Sequence, residues 1–195
     1  MIGANCRNEE ECDGSVVKCA VCGYSQVVAL RDYRSPFIDN VYTLYSCAEC
    51  ESRCFQIDEQ PTELVEIYDD YAHGISGTFN KPFAVSDYWS DQVRTASALL
   101  GRRVDSVLDV GCRTGDFLMH WPEDVARVGV ELTAHWAEVA NKRGLDIKQD
   151  YLEKVEFGRR FDLVTCYAVI EHLRSPVAFL RKLPDLVEED GIVVI

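Results

Sequence analysis

Two pairs of cysteines have the spacing of ligands for one metal ion. Cys19 and Cys22 form the first pair and Cys47 and Cys50 the second, with two residues between the thiols of each pair. This spacing lets both sulfurs of a pair reach one tetrahedral ion from a tight turn. We therefore predict a Zn²⁺ ion held by four thiolates. Because four ligands close the coordination sphere, we expect the ion to be structural and not catalytic.

A second group of residues with chemical potential follows an apolar run in the middle of the chain. Residues 106–110 predict a buried strand, which ends in a turn containing Gly111 and Gly115. Strand–turn–helix units of open α/β sheets bind ligands beyond the carboxyl ends of their strands. A dinucleotide fingerprint is excluded because Arg113 replaces its second glycine, and no Gly-Lys-Ser/Thr follows for a phosphate loop. The remaining pattern is Asp-x-Gly-x-x-x-Gly, beginning at Asp109.

An acidic residue closes the next apolar run. Residues 127–131 end at Glu131, about 20 residues after the glycines, where such an acid meets a ribose diol. A carboxylate accepts hydrogen bonds from two vicinal hydroxyls at once, and this suits Glu131 to a nucleoside ligand. The alternative is a surface acid at a strand end.

The segment from Val107 to Leu118 resembles motif I of the class I S-adenosylmethionine (SAM) methyltransferases. That family usually has Gly where Arg113 stands. The resemblance implies a Rossmann-like SAM-binding domain, in which Asp150 meets the adenine amino group unless it is simply a loop acid. The cofactor-binding residues that we predict are Asp109, Gly111, Cys112, Gly115, Glu131, Leu132, Asp150, Tyr151 and Tyr167.

The segment after the fourth strand of this domain supplies candidates for a catalytic base. Residues 168–173 resemble the acid-His-Leu sequence of the family. An acceptor hydroxyl or carbon acid must lose a proton, and histidine titrates near neutrality, so we name His172 and Glu171 as candidates. The alternative is that this pair braces the next helix and lines the cofactor pocket. His73 is a third candidate, because it lies with Tyr71 on a predicted aromatic helix that would cover the substrate as a lid.

The fold class that we predict is α/β, with a Rossmann-like class I methyltransferase sheet and a small N-terminal β zinc ribbon. The predicted parts are a mobile tail (1–16), the zinc ribbon (17–60), a helical linker or lid (61–101) and the SAM-binding domain (102–195). The predicted strands are 26–30, 41–45, 106–110, 127–131, 145–148, 161–166 and 191–195. The predicted helices are 64–73, 86–101, one starting at 116–121, 134–143, and one from 176 to about 186 that Pro184 should kink or end early.

The last predicted strand lies at the edge of the sheet. The resemblance implies two further strands beside it, which this sequence does not contain. An unpaired apolar edge invites association, so we expect either a truncated chain or a second chain covering this strand.

Composition narrows the classes of function. The 195 residues carry a net charge of −13, which disfavours a nucleic-acid partner. No apolar run approaches the length of a membrane span. The N-terminal segment is acidic and contains no apolar core of a signal peptide. We therefore expect a cytoplasmic protein with no membrane partner. Nine cysteines in a reducing compartment indicate metal binding or burial, with Cys6, Cys12 and Cys54 as spare thiols.

The order of the parts resembles bacterial methyltransferases with an N-terminal zinc-binding domain. Their acceptors include sugars and precursors of polysaccharides or natural products, so we expect C- or O-methylation of a small molecule. Three alternatives stay open: a catalytically silent scaffold with the SAM fold, a zinc-ribbon ribosomal RNA methyltransferase, and a zinc ribbon that recognises a macromolecule.

Overall fold

A computed structural model describes residues 17–34, 41–55, 86–173 and 176–195. The chain forms two compact units, residues 1–59 and 60–195. The predictions for the tail 1–16 and for the helix 64–73, with Tyr71 and His73, lie outside the described residues.

The first unit contains a three-stranded antiparallel sheet. Its strands are β1 (Val27–Arg34), β2 (Val41–Cys47) and β3 (Arg53–Phe55), in the order β1-β2-β3. The predicted hairpin is confirmed, although both strands run further than expected. Among the described residues of this unit only Cys19 and Cys47 are buried. The cysteine cluster therefore takes the place of an apolar core, as in small domains that depend on a metal.

The second unit is a parallel sheet with helices. Its elements in chain order are α1 (Ser86–Leu100), β4 (Ser106–Val110), β5 (Ala126–Val130), α2 (Ala134–Lys142), β6 (Asp146–Lys148), β7 (Phe161–Thr165), α3 (Pro176–Lys182) and β8 (Val187–Val194). The strand order is β6-β5-β4-β7-β8, and every neighbouring pair is parallel. The chain leaves β4 first to one side and later to the other, so the tip of β4 is the place where such sheets bind ligands.

The two central strands carry apolar side chains on both faces. All five residues of β4 and all five of β7 are buried. Val107 and Leu163 belong to one core cluster, and Leu108 and Val164 to the other. Successive residues of a strand point to opposite faces, so the continuous apolar run seen in the sequence is what a sheet covered on both faces requires.

The prediction that a helix starts within residues 116–121 is wrong. The chain forms only a 3₁₀ turn there, Leu118–His120, and Trp121 is extended (ψ 145°). Pro122 follows, and the residue before a proline is driven out of the helical region. The glycine turn therefore leads into a compact loop.

The other elements follow the sequence closely. Strand β4 has the predicted bounds, and β5, α2, β6 and β7 differ from theirs by one residue at most at either end. Helix α3 ends at Lys182 and gives way to the 3₁₀ turn Leu183–Asp185, which confirms the effect expected of Pro184. Strand β8 begins before the predicted residue 191. No helix in the described ranges is long and apolar enough to cross a membrane.

Candidate functional site

The four paired cysteines converge. Their sulfurs all lie within 4.8 Å of one another. Cys19 Sγ is 3.6 Å from Cys50 Sγ, and Cys22 Sγ is 3.6 Å from Cys47 Sγ. Gly23 follows the first pair with a φ of +75°, a left-handed conformation that glycine adopts without a steric penalty. A set of four thiols at this separation has the chemistry and geometry of a tetrahedral zinc site.

Hydrogen-bond donors surround these sulfurs. The backbone N–H groups two residues after Cys19 and after Cys47 lie 3.4 Å from the respective sulfurs. The Ser52 hydroxyl is 3.3 Å from Cys19 Sγ and 3.0 Å from Cys50 Sγ. Burial opposes ionisation of Cys19, but the Ser52 hydroxyl and the backbone N–H groups of Cys22 and Val21 outweigh it and lower the pKa of Cys19 to about 6. Cys54, predicted as a spare thiol, is not one of the four converging cysteines.

Asp109 lies near the carboxyl end of β4 and is 5% exposed. Thr165 of the neighbouring strand donates its hydroxyl to Asp109 Oδ1 at 2.6 Å. Burial raises the pKa of Asp109 to about 7 and the charge of Glu131 adds to the rise, whereas the Thr165 hydrogen bond works against it. The carboxyl group is therefore buried at the carboxyl end of β4, and its pKa lies near neutral pH.

Glu131 directly follows β5 and is 5% exposed. Its Oε2 accepts the backbone N–H of Arg113 at 2.9 Å, and its Oε1 accepts that of Thr133 at 2.8 Å. Burial raises its pKa, and these backbone donors oppose the rise. Each carboxylate oxygen has a second lone pair, so both keep capacity for a ligand hydroxyl.

The two glycines of the motif are required by packing as well as by backbone conformation. Gly111 has a φ of +73°, and a Cβ there would lie 2.6 Å from Val169 Cγ2. Gly115 has a φ of +77°, and a Cβ there would lie 2.2 Å from Leu145 Cδ1. The loop after β7 thus packs on the glycine turn at Gly111, and the segment before β6 packs on it at Gly115. Neither glycine can be replaced by a larger residue unless its neighbour moves.

Arg113, which replaces the family's usual glycine, fits the turn. It adopts a left-handed φ of +49°. Its guanidinium lies over the Trp136 ring on α2, 4.7 Å from the centroid. Arg143 fixes the same loop, since its Nη1 donates to Thr114 O and to Asp116 Oδ1, both at 2.6 Å. The side chain of Arg113 thus stacks on Trp136 of α2, and its backbone N–H still donates a hydrogen bond to Glu131.

The remaining predicted residues lie in the loops beyond the strand ends. Asp150 is partly buried and accepts the backbone N–H of Tyr151 at 2.7 Å, while Leu132 next to Glu131 is partly buried. Cys112 is 6% exposed with its side chain in the core, so only its backbone faces the turn. Glu171 and His172 are exposed on the 3₁₀ turn Ile170–His172. Their roles stay predictions.

An aromatic cluster beside the β4 tip was not singled out from the sequence. Tyr167, just after β7, packs against Trp89 of α1 and against Phe117 at centroid distances of 5.6 and 5.3 Å. Trp89 and Phe117 are 5.5 Å apart. The Trp89 Nε1–H and the Tyr167 hydroxyl are both buried and have no hydrogen-bond partner in the described structure. Trp89 packs against the apolar core through α1, and the sequence analysis made no prediction for it.

These groups fit the parts of a SAM molecule. Two buried carboxyl groups lie at the tips of β4 and β5, where a ribose diol and a positive charge are favoured. Carboxyl oxygens at these tips are hydrogen-bond acceptors, which suits the hydroxyl groups of a nucleoside.

A family comparison agrees with this fold. The model of a methyltransferase-domain family matches residues 84–195, more than half of the chain. The protein therefore belongs to the methyltransferase-domain family, and the α/β fold predicted from motif I is confirmed.

Two curated relatives match about half of this chain. The ubiquinone biosynthesis O-methyltransferase of Proteus mirabilis (strain HI4320) is 34% identical over 111 residues, 50% of this chain and 42% of the relative. The mitochondrial ubiquinone biosynthesis O-methyltransferase of Schizosaccharomyces pombe is 30% identical over 123 residues, 56% of this chain and 42% of the relative. The chain thus spans less than half the length of these relatives.

Solved structures confirm the fold. The plantazolicin methyltransferase BpumL, in complex with a pentazolic desmethylPZN analog and SAH, has a TM-score of 0.52 at 14% identity and covers 66% of this chain and 51% of its own. A SAM-dependent methyltransferase from Clostridium acetobutylicum ATCC 824 has a TM-score of 0.51 at 19% identity, covering 65% and 56%.

Proposed function

We propose that this protein transfers a methyl group from SAM to a small-molecule acceptor. The observation that carries the proposal is Glu131, a buried acid at the tip of β5 that accepts a hydrogen bond from the glycine turn after β4. SAM supplies an activated methyl group, so the protein chiefly has to orient its ligands and exclude water.

The residues at the strand tips have distinct roles in this proposal. Glu131 binds the ribose hydroxyls, and Asp150 at the end of β6 accepts a hydrogen bond from the adenine amino group. Asp109 contributes negative potential beneath the sulfonium. Gly111 and Gly115 keep the turn close to the strand, and the backbone there contacts the cofactor.

A base at the exposed 3₁₀ turn after β7 completes the site. His172 is our first candidate to take the proton from an acceptor hydroxyl or carbon acid, and Glu171 beside it is the second. Both side chains are exposed, so an acceptor that arrives from solvent can reach them. His73 is retained as a candidate from the sequence. This role would belong to general-base catalysis, which typically contributes 10²–10⁴-fold in rate.

The acceptor class is the finer part of the proposal. The curated relatives are named as O-methyltransferases of ubiquinone biosynthesis, and BpumL acts in the plantazolicin system. These names support a small molecule and O-methylation, with sugar and natural-product precursors as the further candidates from the sequence.

The cysteine cluster is proposed to bind one structural Zn²⁺ ion. Four converging thiols, in a unit whose described residues form almost no apolar core, support this role. Cys19→Ser is expected to lower the zinc content and unfold the first unit, measured by metal analysis and circular dichroism. Unmutated protein without bound zinc would contradict the proposal.

Calorimetry with S-adenosylhomocysteine (SAH) tests the cofactor site. Glu131→Ala is expected to weaken SAH binding by about 1–3 kcal/mol, since the ribose loses a charged acceptor and the Arg113 N–H loses its partner. Glu138→Ala is the matched control, because Glu138 is an exposed acid on α2 that pairs only with Lys142 among the described ion pairs. Equal SAH affinity in both variants would place the ribose elsewhere.

A further inference from the structure

The turn that follows β4 holds a residue other than glycine in a left-handed conformation. Arg113 has a φ of +49° and lies between Gly111 at +73° and Gly115 at +77°. Glycine reaches this region freely, whereas a residue with a Cβ pays a steric penalty there. Such residues persist only where the surrounding structure holds them in place, and they cluster at functional sites. The turn therefore depends on contacts that keep Arg113 in this conformation.

Arg143 supplies contacts of this kind on the segment directly after Arg113. Its Nη1 donates to the carbonyl oxygen of Thr114 and to Asp116 Oδ1, both at 2.6 Å. The other carboxylate oxygen of Asp116 accepts the Thr114 hydroxyl at 3.0 Å. The Arg143 and Asp116 side chains are only 33% and 20% exposed, so solvent screens this ion pair less than a fully exposed surface pair. Residues 114–116 are thus tied to the end of α2.

Helix α2 connects these contacts to the proposed ribose ligand, Glu131. Arg143 is the C-cap residue of α2, and Thr133 at the N-cap donates its backbone N–H to Glu131 Oε1 at 2.8 Å. The first turn of the same helix carries Trp136, over which the Arg113 guanidinium lies. A single rigid element therefore contacts both Glu131 and the turn after β4.

A change of φ at Arg113 would disturb the proposed cofactor site in either direction along the chain. It redirects either the Arg113 N–H or the segment 114–116. The N–H is one of the two backbone donors that orient Glu131, at 2.9 Å from Oε2. The segment is the part of the turn that Arg143 holds. The fixed position of residues 114–116 leaves Arg113 no room to relax unless the Arg143 contacts break.

From these contacts we infer that Arg143 and Asp116 are positioning residues, which hold the left-handed Arg113 in the conformation that the cofactor site requires. This inference rests on the proposed SAM site. Both residues act through the turn and not by contact with the cofactor, and neither is among the site residues predicted from the sequence. In this chain the pair takes over what glycine, the family's usual residue at position 113, achieves by its conformational freedom.

Calorimetry with SAH tests the inference in two backgrounds, the natural sequence and Arg113→Gly. Arg143→Met removes the donors and keeps an unbranched side chain. It is expected to weaken SAH about tenfold in the natural background, but less than about twofold in Arg113→Gly, where residue 113 is no longer strained. Asp116→Ala, which removes the other partner, should give the same pattern.

Lys142→Met is the matched control for these variants. Lys142 precedes Arg143 on α2, but it is an exposed cation that pairs with Glu138 of the same helix. Its replacement is expected to leave SAH affinity unchanged in both backgrounds, because an exposed pair within one helix does not hold the turn.

Amide hydrogen exchange checks the same inference without a ligand. The amides of Arg113 and Gly115 are hydrogen-bonded, to Glu131 and to the carbonyl oxygen of Cys112. Arg143→Met is expected to speed exchange in the segment 113–116 about tenfold and to leave exchange in β7 unchanged. A residue that only stabilises the domain would instead speed exchange in both segments.

Several outcomes would overturn the inference. They are unchanged SAH affinity in Arg143→Met, a loss in the Arg113→Gly background as large as in the natural one, and unchanged exchange in the segment 113–116. Failure of the unmutated protein to bind SAH would reject the proposed function, and the exchange measurement would then decide by itself whether Arg143 holds the turn.

Discussion

Single side chains around the cysteine cluster illustrate how much one residue contributes. Ser52 is not one of the four converging residues, but its hydroxyl lies within hydrogen-bond distance of two of their sulfurs, those of Cys19 and Cys50. Donors to metal-bound thiolates orient the ligands and spread their negative charge. The sequence predicted the four cysteines from their spacing, but Ser52 has no such signal, because its contact depends on how the second turn folds back on the first.

At this scale we predict that Ser52→Ala raises the zinc dissociation constant about tenfold. The affinity is measured by competition with a coloured chelator. Ser46→Ala is the matched control, since Ser46 lies on β2 opposite Arg53 and takes no part in the hydrogen bonds described for the four sulfurs. Equal affinities in the two variants would show that the Ser52 hydroxyl does not support the metal.

Elements of the second unit are held by contacts at both ends of the sheet. At the carboxyl ends, Gly115 allows the glycine turn to pack on the segment that leads into β6. At the amino ends, Asp162 of β7 accepts the backbone N–H groups of Asp105 and Ser106, at 2.8 and 2.9 Å. Arg102 lies 2.7 Å from the same carboxylate. The motif placed Gly115 in a turn but did not indicate that Leu145 packs on it, and nothing in the local sequence pattern relates Asp162 to the start of β4.

The first element-scale prediction concerns two left-handed glycines. Gly115→Ala is expected to lower the free energy of unfolding by about 2 kcal/mol more than Gly144→Ala, as measured by urea denaturation. Both positions have a positive φ, +77° and +85°, so both pay the backbone cost of about 1–2 kcal/mol. Only at Gly115 does the new Cβ meet a neighbour, Leu145 Cδ1 at 2.2 Å. Equal losses would mean that Leu145 moves aside freely.

The second element-scale prediction concerns pH. Burial alone would raise the pKa of Asp162, but the Arg102 hydrogen bond and the backbone donors outweigh it and lower the pKa below its usual value. A lowered carboxyl pKa stabilises the fold above the unfolded pKa of about 4, and this stability is lost as the pH falls through the folded pKa. Asp162→Asn should therefore cost about 2 kcal/mol at pH 7 and progressively less below pH 4.

A comparison of variants separates the pH dependence of stability due to Asp162 from that due to other acidic residues. Asp109, whose pKa is raised to about 7, acts with the opposite sign, because it destabilises the fold as the pH rises from about 4 through 7. Asp109 is present in both the unmutated protein and Asp162→Asn, so its contribution cancels when their free energies of unfolding are subtracted at each pH. Asp105→Asn is the control, since that carboxylate is exposed and pairs with Arg103 at the surface. A pH-independent difference for Asp162→Asn would refute its assigned role.

For the molecule as a whole, the sequence predicted the order and type of the elements but not the contacts between distant ones. Continuous β-branched runs such as residues 106–110 identified the parallel strands, because only a sheet covered on both faces buries such runs. The helix expected after the glycine turn does not form. Trp121 is extended because Pro122 follows it and disfavours the helical conformation of the preceding residue. The aromatic cluster could not be read from the chain, since Trp89, Phe117 and Tyr167 come from three separate elements.

The claim on which the functional account depends is that SAM lies across the tip of β4 with its ribose on Glu131. The most direct measurement is a crystal structure of the protein with SAH. We predict one SAH molecule per chain, with both ribose hydroxyls within about 3 Å of the Glu131 carboxylate. A crevice at the β4 tip that is filled by protein side chains, with Arg113 among them and no SAH bound, would contradict the account.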